Sequence, residues 1–259
     1  MVCGALLIEG ERGIIAGDQL PGRLGRRLWA YLVLGRRRPS GKDEIATALW
    51  GDEIPDAWEA SVHALVSRVR RVVSSADAAA SIRRSGSGYA LELPPDAFVD
   101  RERAWQAIHH VRAKQRHGEI AAAWAEAVIA HEIAARGFLA GETGPWIEAE
   151  RALLQGTQVQ ALQAIAEAEL ALGRLDDAER AARRLVGLEP LRESGYRLLM
   201  RSLAAAGDRA AAAAVMEECR ASLTRAGAVP TAETERVFSE AIRGPASDQP
   251  VGRRMYRPP

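Results

Sequence analysis

The sequence predicts a mainly α chain with small β elements, in two parts of different pattern. A compact unit occupies residues 1–98, an all-α repeat array occupies 99–243, and a tail follows over 244–259. Three observations predict this. A helix with one apolar and one cationic face precedes a Gly-rich basic hairpin, strand signal all but ceases after Val99, and a helix-turn motif then recurs at a fixed offset.

Composition sets the bounds. Hydrophobic residues make up 47% and charged residues 27%, values of a folded domain with a sizeable core, while aromatics are only 5%, so Leu, Val and Ala must fill that core. No apolar run reaches the roughly 18 residues of a membrane span. The opening Met1–Ile8 stretch lacks a basic leader and Glu9 and Glu11 follow at once, so no signal peptide and no membrane association are expected. Cys3 and Cys219 form no metal-like spacing, and a reducing cytoplasm is the expected location. The net charge of +1 singles out no partner, and neither half does, with 13 basic and 13 acidic residues over 1–100 against 22 and 21 over 101–259. Any surface for a polyanion must come from local clustering.

Within the first part, residues 5–8 and 14–15 read as short strands broken by Gly10, Gly13 and Gly17. A helix is expected from about Arg26 to Gly35, ended by Arg36-Arg37-Arg38-Pro39 because the residue before proline is driven out of the helical region. Ser40-Gly41-Lys42-Asp43 has the form of a capping box opening a second helix, Asp43 to Trp50, which stops at Gly51. The third helix, about Ala57 to Val73, places Trp58, Val62, Leu65, Val66, Val69 and Val73 on one stripe. Its other face carries Ala60, His63, Ala64, Ser67, Arg70 and Arg71, with Arg68 on the flank. Small residues that permit close approach, beside guanidiniums that pair with guanine or phosphate, suit a helix lying in a major groove; a solvated core helix is the alternative. Ile82 to Leu93 then forms a hairpin with Arg83 and Arg84 beside its Gly86-Ser87-Gly88 tip. Three helices followed by a basic hairpin is the order of a winged helix-turn-helix, in which the third helix reads bases and the wing grips phosphate or the minor groove.

The run Asp43 to Asp52 resembles the second-helix signature of OmpR-type winged helices, Val66-Ser67-Arg68-Val69-Arg70-Arg71 the end of their recognition helix, and Gly86 to Leu91 their wing. Together with the helical repeats of its second half, the chain resembles the Streptomyces antibiotic regulatory protein family over roughly residues 5–243. That resemblance implies a winged-helix DNA-binding domain followed by a bacterial transcriptional activator domain. It also implies two copies head to tail on direct repeats near a promoter, with RNA polymerase holoenzyme as a further partner. The sequence departs from the family where a basic and an amide side chain are usual early in the recognition helix: here stand Glu59 and Ala60, and His63 replaces a common glutamine. A carboxylate near phosphate is repulsive, although Glu59 also suits the macrodipole of a helix N-terminus.

In the second part, helices are expected over about Arg101–Arg116, Glu119–Arg136, Trp146–Leu172, Leu175–Leu188, Leu191–Ala206 and Arg209–Ala226. Gly173 and Gly207 lie 34 residues apart in matching turns, and Leu162 and Tyr196 keep that offset. This period, with Pro190 after the second helix, is the tetratricopeptide signature, and His117-Gly118-Glu119 marks an earlier, less regular pair. Such arrays bind peptides, partner domains or another copy of the chain. Thr231 is placed to cap a last helix, Ala232 to Arg243, and the Pro- and Gly-rich tail is expected to be disordered.

Enzymatic chemistry finds no support. Gly35 to Asp43 resembles a phosphate-binding loop only superficially, since five residues separate its glycines and Asp43 replaces the Mg-binding hydroxyl. His109 and His110 are adjacent and point apart, and His117 and His131 lack partner ligands. No catalytic residue, metal or cofactor is expected. The leading expectation is therefore a sequence-specific regulator on double-stranded DNA, acting as a homodimer there. Its candidate contacts are His63, Ser67, Arg70 and Arg71 for bases or backbone, Arg68, Arg83 and Arg84 for phosphate, and Lys42 for phosphate at the second helix. The alternative is a tetratricopeptide adaptor whose winged domain has lost DNA binding.

Overall fold

The computed structural model describes residues 1–243; the expected disordered tail, 244–259, lies outside them. The chain forms two compact units, residues 1–161 and 162 onward.

The first unit opens with an antiparallel pair, β1 (Leu7–Gly10) and β2 (Gly13–Ala16), in register Leu7↔Ala16 to Gly10↔Gly13. Helix α1 (Gly22–Leu34) begins four residues before the expected Arg26. Its first turn has no apolar periodicity to betray it; instead the Pro21 ring packs so closely that a Cβ on Gly25 would meet Cδ at 2.8 Å. Helices α2 (Lys42–Trp50) and α3 (Trp58–Ala76) follow, then strands β4 (Ser81–Ser85) and β5 (Gly88–Glu92). The apolar stripe of α3 is buried as the period requires, with Val62, Val69 and Val73 wholly covered and Trp58 packed at the margin.

Ser40 does not cap α2. Ser40 and Gly41 form a short strand, β3, paired with β5, so the sheet order is β3-β5-β4 and the serine is buried. Gly41 is the N-cap, and its N–H donates to the Glu44 carboxylate at 3.0 Å. Glu44 also accepts from both Nη atoms of Arg38, at 2.9 and 3.0 Å. The Arg38 guanidinium and then the Gly41 amide hold the Glu44 carboxyl below its usual range.

The first compact unit continues beyond the winged helix. Helices α4 (Asp100–Arg116) and α5 (Ile120–Ala134) and the start of α6 (Pro145–Ala171) belong to it, and Val99, Ala104, Ile133, Phe138, Ile147 and Leu154 share one core with the residues of α1 to α3. Two buried carboxylates fix this arrangement. Asp100, with no exposed surface, accepts from the backbone amides of Val2 (2.8 Å), Cys3 (2.9 Å) and Arg101 (2.9 Å). Glu142 lies against α1, accepting from Nε of both Arg23 and Arg27 at 2.6 Å. Arg27 also donates to the Leu49 and Thr143 carbonyls, and the Trp146 indole N–H donates to the Ala48 carbonyl at 2.9 Å.

The second unit holds the end of α6 and helices α7 (Leu175–Leu188), α8 (Glu193–Ala205), α9 (Arg209–Arg225) and α10 (Ala232–Arg243). The 34-residue period has a concrete form here. Gly173 and Gly207 take φ of +73° and +86°, and the amides that follow them donate to carbonyls five residues back: Arg174 to Glu169 and Asp208 to Leu203, both at 2.9 Å. A side chain would strain that left-handed closure, so glycine recurs. In the first unit the Gly118 turn is built alike, Glu119 donating to Lys114 at 3.0 Å. At the last helix, the Thr231 hydroxyl and amide both donate to Glu193 at 2.8 Å, and this threonine thereby ties the start of α10 to α8.

Candidate nucleic-acid interface

The exposed face of α3 follows from its sequence. With the valines and Leu65 turned inward at 100° per residue, His63, Ala64, Ser67, Arg70 and Arg71 face solvent, and Arg68 is exposed on the flank. The side chains of His63, Ser67, Arg68 and Arg71 make no hydrogen bond or ion pair with other described residues.

Arg70 differs. Its Nε donates to the Ile82 carbonyl at 2.7 Å, tying α3 to β4. One edge of its guanidinium is thus spent on holding the hairpin.

The hairpin is shaped by two glycines with different tasks. Gly86 turns the chain at φ +57°, while Gly88 lies opposite Gly41 of β3, where an added Cβ would meet the Ser40 carbonyl oxygen at 2.0 Å. Alternation along the hairpin buries Ile82, Tyr89 and Leu91 on one face and turns Arg83 to the other, while Arg84, on the buried face by register, is exposed next to the turn. Arg84 makes no ion pair among the described residues. Arg83 reaches across the hairpin to Glu92, at 2.8 Å, and its Nε lies 3.3 Å from the Ser81 hydroxyl.

Lys42 is the first residue of α2, directly after the β3 strand that pairs with the hairpin. Its ammonium lies 3.1 Å from the carboxylate of Glu59, in the first turn of α3. Two candidate phosphate contacts, Lys42 and Arg83, are therefore each paired with an exposed carboxylate.

Sequence reasoning missed these partners. Glu92 could have been paired with Arg83 from the hairpin register, which sets Ser81 opposite Glu92. The pairing of Lys42 with Glu59, 17 residues apart across a loop, left no local signal. The superficially phosphate-binding segment dissolves into the end of α1 and β3, with Arg36 bound to Glu102 and Arg38 to Glu44.

Residues 99–243 match the bacterial transcriptional activator domain. The chain belongs to that family. With the winged helix ahead of the domain, it is a regulator of the Streptomyces antibiotic regulatory protein type, as the sequence motifs implied. It is 30% identical over 195 residues to regulatory protein AfsR of Streptomyces coelicolor, covering 75% of this chain and 19% of the relative. Against AfsR of Streptomyces griseus the identity is 26% over 201 residues, covering 75% and 20%. Transcriptional regulatory protein EmbR of Mycobacterium tuberculosis is 37% identical over 71 residues, 27% of this chain and 18% of the relative. The chain thus spans about a fifth of the length of these relatives. The structure of Mycobacterium tuberculosis EmbR in complex with a low affinity phosphopeptide matches in fold, with a TM-score of 0.74 and 23% identity, covering 94% of this chain and 66% of that one. These relatives are regulators of transcription, and no helix among the described residues is long and apolar enough to cross a membrane.

Proposed function

We propose that the chain binds double-stranded DNA sequence-specifically, with α3 in the major groove and the β4–β5 hairpin against phosphate or the minor groove, and that it activates transcription. The observation that carries this reading is the exposed face of α3, where His63, Ser67, Arg68 and Arg71 stand with no partner among the described residues beside the hairpin that bears Arg84. His63, Ser67 and Arg71 are assigned to base edges or backbone, Arg68 and Arg84 to phosphate. Lys42 and Arg83 reach phosphate on exchanging their carboxylates. Arg70 contributes through the hairpin it anchors. Two copies on direct repeats and contact with RNA polymerase complete the proposal, by resemblance to the family.

Genome-wide footprinting with the purified chain tests it. Protected promoter sites are expected, with binding that weakens steeply as salt rises and that Arg68→Ala with Arg71→Ala largely abolishes. The adaptor reading draws on the Lys42–Glu59 and Arg83–Glu92 pairs, which remove two cations from the face. It prevails if no fragment is enriched and these substitutions leave reporter expression unchanged.

A further inference from the structure

Glu59 is the residue that fits the DNA-binding reading least, and Glu92 is like it in one respect: each is an exposed carboxylate paired with a candidate phosphate contact. Each also has a defined partner. Glu59 is 64% exposed and lies 3.1 Å from the Lys42 ammonium; Glu92 is 50% exposed and lies 2.8 Å from the Arg83 guanidinium. Neither pair is needed for the fold, since exposed ion pairs contribute little to stability. Lys42 follows β3, which pairs with the start of β5, and Glu92 is the last residue of β5, so the two pairs stand at opposite ends of one strand of the three-stranded sheet.

We propose that Glu59 and Glu92 are internal counter-ions of the DNA face that set its affinity and its salt sensitivity. The inference rests on the DNA-binding reading. A phosphate approaching Lys42 or Arg83 must displace a carboxylate already there, and the displaced carboxylate remains nearby as a like charge. The sequence-independent part of binding, which comes from phosphate contacts, is lowered by this, whereas base contacts from the middle of α3 are untouched. Arg68, Arg71 and Arg84 carry no such counter-ion and supply the unopposed phosphate attraction.

The test is a titration of a labelled mixed-sequence duplex with the full chain over a series of salt concentrations. Glu59→Gln and Glu92→Gln each keep side-chain shape and remove the charge. Each is expected to tighten binding about fivefold at low salt, the Boltzmann factor of one like-charge pair a few ångström apart in water. Each should also steepen the dependence of log affinity on log salt by about 0.9. Glu132→Gln on α5 adds the same net charge elsewhere and should leave both unchanged. In a Lys42→Ala background the gain from Glu59→Gln should shrink, because the carboxylate no longer competes for a cation. Binding by the unaltered chain that neither substitution changes, or an equal gain from Glu132→Gln, overturns the inference alone. Absence of duplex binding by the unaltered chain and by every variant overturns the DNA-binding reading and the inference with it.

Discussion

Replacing Glu142 with glutamine removes one negative charge from a carboxylate that is 6% exposed and serves several guanidiniums. Its Oε2 accepts from Arg23 and Arg27 at 2.6 Å, and its Oε1 lies 3.6 Å from Arg26. Arg23 is more than half exposed and is readily solvated when its partner is neutral, but the Arg27 side chain is only 10% exposed. Stranding a buried charge costs about 3–5 kcal/mol. Arg27 keeps the carbonyls of Leu49 and Thr143 as acceptors, which places the expected loss near the lower end, about 3 kcal/mol. For a unit of this size that is a fall in Tm of about 6–12 °C, read by circular dichroism on the full chain. The pH dependence carries a second signature. Burial pushes the Glu142 carboxyl up, but hydrogen bonds from Arg23 and Arg27 outweigh it and hold it below the ordinary value of 4.5. The stabilisation is therefore complete above pH 4.5 and is lost as pH falls through the lower folded value, so the gap between the two proteins should close only in acid. A Tm loss under about 2 °C at neutral pH, or a gap that stays constant into acid, would refute the reasoning.

Three further outcomes are expected. Gly88→Ala sets a Cβ 2.0 Å from the Ser40 carbonyl oxygen and must part β3 from β5, so amide exchange should quicken in both strands while the helices of the second unit keep their protection. Asp100→Asn replaces a carboxylate that accepts from three amides with a group that turns a donor toward at least one of them; a loss of about 3 kcal/mol in urea denaturation is expected, with the N-terminal segment opened to protease. Arg70→Met keeps much of the side chain's bulk but gives up the 2.7 Å bond to Ile82, so hairpin amides should exchange faster with little change in Tm, whereas Arg71→Met should leave the hairpin unaffected.

The sequence by itself determined everything set by local periodicity. The valine stripe of α3, the alternation of Ile82, Tyr89 and Leu91, and the glycines at 173 and 207 each report the environment of their own backbone within a few residues, and the family follows from their order. The cationic face of α3 was legible for the same reason: once one side of a helix is buried, the other is fixed. Tertiary structure alone decided which of the candidate cations have partners and what packs onto the winged helix. Glu59 finds Lys42 across a loop, Arg70 finds a carbonyl of β4, Ser40 leaves its capping position to pair with Tyr89, and Asp100 and Glu142 fasten segments about a hundred residues distant in sequence onto the N-terminus and α1. No periodicity encodes such pairings, because a charge or a hydrogen bond is satisfied by whatever group the folded chain brings within about 3 Å.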